Sequence, residues 1–121
     1  MLVLVSAAPA RATIETSLMV FFATGSAEVR AIAERTLNEA VRRVREERCI
    51  LVVHGNTDTA EVDFLLSRAR AEAVKDRLLQ MGVAPERIQT EAHGADRLLV
   101  QTGLDVSRAE NRRAEIVCVR K

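Results

Sequence analysis

Apolar positions recur along this chain with two different periods, and the switches between them mark its elements. Ser17 to Phe22 is a β-rich apolar run closed by Ala23-Thr24-Gly25-Ser26, the pattern of a buried strand that ends in a tight loop. Val29, Ala33, Leu37, Ala40, Val41 and Val44 then recur at helical spacing. Ser26 is the expected N-cap, and Glu28 falls in the first turn, where an acid suits the helix dipole. Cys49 to His54 is a continuous apolar run of strand length, as in a strand covered on both faces. Helical spacing returns from Phe64 to Met81 through Leu66, Ala69, Ala73, Val74, Leu78 and Met81. Gly82 stands where a left-handed cap residue belongs, and Pro85 follows. Arg87 to His93 alternates weakly as a third strand, Arg97 to Arg108 reads as a loop or short helix broken at Gly103, and Ala114 to Val119 is the last strand. The order is β-α-β-α-β-β, and its first strand-helix-strand unit implies a right-handed crossover.

A chain of 121 residues is one domain by size, long enough to bury about two-thirds of its unfolded surface without a metal or disulfide staple. Its core residues are aliphatic: there are three Phe and no Trp or Tyr, which argues against stacking platforms for single-stranded nucleic acid or sugar rings. Eighteen basic and seventeen acidic residues give a net charge of +1, with no footprint for duplex nucleic acid. The Arg42-Arg43-Arg45-Arg48 cluster is interleaved with glutamates, which makes it a solvated helix face, and Glu39 with Arg43 has the favoured i, i+4 order. Cys49 and Cys118 have no Cys-x-x-Cys or Cys/His ligand spacing, and His54 and His93 stand alone in sequence, so no structural zinc site is expected. In an oxidising compartment the two thiols pair only if their strands lie close, which spacing alone does not show, and the plainer reading is two small buried hydrophobes in strands. Met1 to Val5 followed by Ala10-Arg11-Ala12 has the look of an export signal's end but is too short for a working signal core or a membrane span. Residues 1–16 are therefore either a remnant of such a signal or an arm packed on a domain that covers 17–121.

The chemistry centres on Gly55-Asn56-Thr57-Asp58 and, twelve residues on, Arg70. An acid just past an apolar strand and a guanidinium in the first turns of the next helix can face each other across a pocket mouth. There they hold the ammonium and carboxylate of one ligand, or pair with each other as a plain surface bridge. Arg70 near a helix start works against the dipole, which an anionic partner offsets, and Asp58 is one candidate for that partner in the absence of a ligand. Gly25 lets main-chain donors approach a carboxylate, or simply makes a turn. No activated nucleophile, metal set or phosphate loop accompanies Asp58 or His93, so a small hydrolase is the remotest reading, and His93 is expected on the surface at a strand end.

Val20 to Val29 with Phe21-Phe22-Ala23-Thr24-Gly25-Ser26, the Asn56-Thr57-Asp58 and Leu66-Ser67-Arg68-Ala69-Arg70 stretches, and Asn111-Arg112-Arg113-Ala114-Glu115-Ile116 together resemble the OmpA-like peptidoglycan-binding domain family. The three blocks stand in the family's order across nearly the whole chain. With the element order, the resemblance implies an α/β (α+β) two-layer sandwich with a small mixed sheet and two long helices on one face. It implies a non-enzymatic module of the cell envelope or periplasm, without cofactor, that grips diaminopimelate in the peptidoglycan stem peptide. By motif position Asp58 takes the ammonium and Arg70 the carboxylate, with Thr24, Gly25, Thr57, Leu66, Asp63 and Arg112 around them. The partners implied are peptidoglycan and envelope proteins, with no nucleic acid. Four features depart from the pattern: Asn56 replaces a His, Glu61 a Gly and Asp63 an Asn, and the loop before Leu66 is short. Glu61, Asp63 and the short loop favour the other reading of the same fold, an assembly module that no longer binds wall.

Overall fold

A computed structural model of the chain describes residues 16–120, so nearly all of the arm or signal remnant expected over 1–16 lies outside the described residues. Strand β1 (Leu18–Phe21) leads through a short 3-10 turn into helix α1 (Glu34–Glu47). Strand β2 (Ile50–Gly55), helix α2 (Phe64–Gln80), strand β3 (Ile88–Ala92) and strand β4 (Arg113–Val119) follow. The sheet order is β1-β4-β2-β3, with β4 antiparallel to both neighbours and β2 parallel to β3. This is the mixed sheet and two-helix arrangement that the element order together with the family resemblance implies. No helix among the described residues is long and apolar enough to cross a membrane.

The core forms where the sheet meets the helices. Val20, Leu51, Val53, Ile116 and Cys118 from the strands meet Leu37 and Ala40 of α1 and Val74 and Leu78 of α2. Burying an aliphatic side chain of this size stabilises the fold by about 1.5–3 kcal/mol. Helix α2 lies so close to β2 that a Cβ on Gly55 would stand 1.8 Å from the Ser67 carbonyl oxygen. The Ser67 hydroxyl is buried there with it, donating to the Phe64 carbonyl at 2.7 Å and accepting from Gly94 N–H at 2.9 Å.

Several expectations are corrected. Ser26 is not the cap of α1: its hydroxyl accepts from Glu28 N–H at 3.0 Å in a local turn, and the helix starts at Glu34. The carbonyls of Ala23 and Ser26 are turned toward Arg70 instead, which keeps this segment out of a helix. The buried face of α2 carries Ser67, Arg70, Ala71, Val74 and Leu78, one step round from the expected stripe, and Ala69 is exposed. Residues 97–108 form a loop without helix or strand. Cys49 and Cys118 are not free thiols but a disulfide, with Cα atoms 5.5 Å apart, because β4 lies beside β2 and brings Cys118 opposite Leu51. His54 and His93 are not alone either, since parallel pairing of β2 with β3 sets their rings within hydrogen-bond distance. His93 is half-buried rather than a surface residue.

Candidate functional site

Arg70 comes from the second turn of α2, whose start is fixed by Asp63: its carboxylate accepts from Leu65 N–H at 2.9 Å and Leu66 N–H at 3.3 Å. The Arg70 side chain is fully buried, and a buried guanidinium must find partners for all its donors. It does. Nε donates to the Ser26 carbonyl at 2.8 Å, Nη1 to the Asn56 carbonyl at 2.9 Å and Nη2 to the Ala23 carbonyl at 3.2 Å. The remaining N–H of each terminal nitrogen goes to Glu61, at 2.5 Å to Oε2 and 3.1 Å to Oε1, a two-pronged pair. The Phe22 ring lies 5.3 Å from the guanidinium carbon, within cation–π range. Glu61 Oε1 also accepts from Gly25 N–H at 2.7 Å. Gly25 has φ +68°, the left-handed region where glycine is unstrained, and this conformation turns its N–H inward.

Asp58 is as enclosed as Arg70 but has a separate set of partners. Oδ1 accepts from the N–H groups of Ala60 and Glu61, both at 3.0 Å, and folds the loop back on itself. Oδ2 accepts from Arg108 N–H at 2.9 Å and from Arg112 Nη1 at 3.0 Å. Burial alone would push this carboxyl up, but the Arg108 and Arg112 bonds, with the two loop N–H groups, hold it below the usual carboxylate range. Arg112 also donates from Nε to the Phe22 carbonyl at 3.1 Å and from Nη1 to the Ser107 hydroxyl at 3.0 Å. It both reaches Asp58 and braces the sheet edge.

The two charged residues that the sequence sets facing each other are thus each neutralised by a third. Glu61, not Asp58, is the acid that offsets Arg70. In the sequence Glu61 stands out only as a departure from a glycine; an acid in place of a glycine, a few residues before a basic helix position, is the signal the sequence holds. Thr57 is buried, with its N–H bonded to the Gly94 carbonyl at 2.8 Å and its hydroxyl without a partner among the described residues. Asn56 lends its carbonyl to Arg70 and donates from Nδ2 to the His54 carbonyl at 3.0 Å. Thr24 is exposed beside Gly25, Leu66 is half-buried, and Asp63 is occupied as a cap. Asn111, just before β4, is fully buried and accepts from the N–H groups of Leu99 and Val100, which pins the 97–108 loop over Asp58.

The OmpA family's sequence profile matches residues 21–112. The chain is similar to the peptidoglycan-associated lipoprotein of Mesorhizobium japonicum, 32% identical over 78% of this chain and 59% of that protein. The Pseudomonas putida protein of the same name is 29% identical over 79% of this chain and 60% of its own length. This chain therefore spans about 60% of the curated relatives it matches. Among solved structures, the peptidoglycan-associated lipoprotein of Burkholderia pseudomallei superimposes with a TM-score of 0.74 at 27% identity, covering 84% of this chain and 89% of that one. These relatives are named for association with a polymer and not for a reaction. With the profile spanning most of the described residues, and the mixed sheet and paired helices superimposing on a solved relative, the chain belongs to the OmpA family.

Proposed function

We propose that this domain binds peptidoglycan non-covalently in the cell envelope, and that a ligand carboxylate occupies the seat Glu61 holds on Arg70 and Gly25. The observation that carries the reading is that seat itself. A buried guanidinium fork and an inward main-chain N–H converge on one carboxylate, an arrangement selective for a planar anion. In the wall the matching group is the free end of diaminopimelate, whose ammonium would turn toward Asp58 while Leu66 lines its stem. A single site of this kind binds weakly, and strength comes from the many copies that a polymeric wall displays.

A second reading has its own observation. Glu61 already fills the seat, and both oxygens of Asp58 are taken by two donors each, so a ligand must displace groups of this chain before it docks. A domain sealed in this way serves as an assembly module that keeps the fold without binding wall.

Co-sedimentation with diaminopimelate-type peptidoglycan separates the two. Wild type, Glu61→Ala and Arg70→Met would be compared, with circular dichroism to verify folding. Retention of wild type, increased in Glu61→Ala and lost in Arg70→Met, supports the wall-binding reading. Absence of retention in both wild type and folded Glu61→Ala overturns it in favour of the assembly module.

A further inference from the structure

The second cluster of charged and ligating side chains lies on the other side of the sheet from α2. Register pairs His54 of β2 with Glu91 of β3, so their side chains leave the sheet on one face. His93, two residues after Glu91, returns to that face by the two-residue repeat of extended chain. The two imidazole side chains are 17% and 12% exposed, and the Glu91 side chain 51%. His54 Nδ1 and His93 Nε2 stand 2.8 Å apart, and Glu91 Oε1 is 3.5 Å from the first and 3.7 Å from the second. A triangle with these sides has a circumscribed radius of about 2.0 Å, so one point lies about 2.0 Å from all three atoms, within the ~2.0–2.2 Å of zinc–nitrogen and zinc–oxygen bonds.

We propose that His54 Nδ1, His93 Nε2 and Glu91 Oε1 form a binding site for one divalent transition ion of the zinc class. Two imidazoles with one carboxylate is a donor set suited to zinc, copper and nickel rather than to magnesium or calcium, which take oxygen ligands. The half-exposed carboxylate leaves the solvent side of the ion open to water or to a further ligand. In the metal-free protein the two rings share one N–H···N hydrogen bond. The ion takes its place when the donor ring moves that proton to its outer nitrogen and both rings turn their lone pairs to the common point. Both cysteines are in the disulfide, so no thiolate competes for the ion. The site is independent of Asp58 and Arg70.

The chain has two histidines in all, so imidazole-dependent binding in an untagged protein can arise only here. Calorimetric titration of the oxidised chain with zinc chloride is expected to show one saturable site of micromolar affinity. Affinity should fall at least tenfold in His54→Ala and in His93→Ala, and several-fold in Glu91→Gln, a change at a half-exposed position that leaves the core intact. Cobalt(II) should give a visible d–d spectrum that depends on the same three side chains. Absence of saturable binding in wild type, or binding unchanged in folded His93→Ala, overturns the assignment. If either histidine variant fails to fold, an unchanged zinc affinity and cobalt spectrum in Glu91→Gln overturns it equally.

Discussion

Glu61 sits on Arg70 as a ligand would, its two carboxylate oxygens at 2.5 and 3.1 Å from the two terminal nitrogens of the guanidinium. Neither group is available to solvent: the arginine is fully buried and its partner nearly so. The pair is internal to the chain, yet its geometry is that of recognition.

Removing the acid should have two linked effects. In Glu61→Ala the Arg70 charge stays buried without a counter-ion, a loss that costs about 3–5 kcal/mol where nothing else compensates and less here, since three carbonyls remain. The melting temperature is expected to fall. Free diaminopimelate should then raise it again in this variant, by mass action on the folded state, and leave wild type nearly unmoved. Differential scanning calorimetry with and without the amino acid reads both effects.

Acid should weaken the fold through Asp58. Its carboxyl is held below the unfolded value of about 3.9, so its contribution is complete above that value and is lost as pH falls through the lower, folded one. Melting temperatures of wild type and Asp58→Asn, measured from pH 7 down to pH 2, should therefore converge toward the acid end. A gap that stays constant over the whole range would show that Asp58 is not an acid-sensitive group.

Gly55→Ala is expected to be the most damaging single-methyl change in the sheet. The added carbon would meet the Ser67 carbonyl at 1.8 Å, and the obstacle is helix backbone, which cannot rotate away. Overpacking of this kind costs about 1–3 kcal/mol where side chains can yield, and more where they cannot. Urea unfolding would measure it, with Gly103→Ala, where open space surrounds the new carbon, as the mild comparison.

The disulfide closes a span of 69 residues, and loop-closure entropy for that length predicts a stabilisation of about 4 kcal/mol. Cys49→Ala/Cys118→Ala, or the reduced wild type, should unfold at correspondingly lower denaturant, with the slope of the transition altered by a less restricted unfolded chain.

Element order and most of the core were legible because the spacings of Leu37, Ala40, Val53, Ile116 and Leu78 follow the two structural periods directly. Helix α2 lies where its spacing predicts, with Val74 and Leu78 buried, but the first half of its buried face is Ser67, Arg70 and Ala71, and polar residues leave no mark on an apolar pattern. The charged residues of the candidate site were legible as residues but not as partners. Glu61 meets Arg70 only because the short loop after Asp58 folds back through the Ala60 and Glu61 N–H groups. The disulfide and the histidine pair needed strand adjacency and register, β4 beside β2 and β3 beside β2, which no local signal encodes.

The strand order also governs when the domain can fold. Strands leave the ribosome in the sequence β1, β2, β3, β4, yet β4 is the one that joins β1 to β2. Until it emerges, β1 has no neighbour among the described strands and β2 presents a bare edge, the kind of template that recruits other chains. A nascent chain stalled before Arg113 should thus be protease-sensitive, and oxidation must wait as well, because Cys118 arrives within that strand. Of the four described strands, the one that joins the others is made after them, so the sheet is completed only then and the covalent lock follows it.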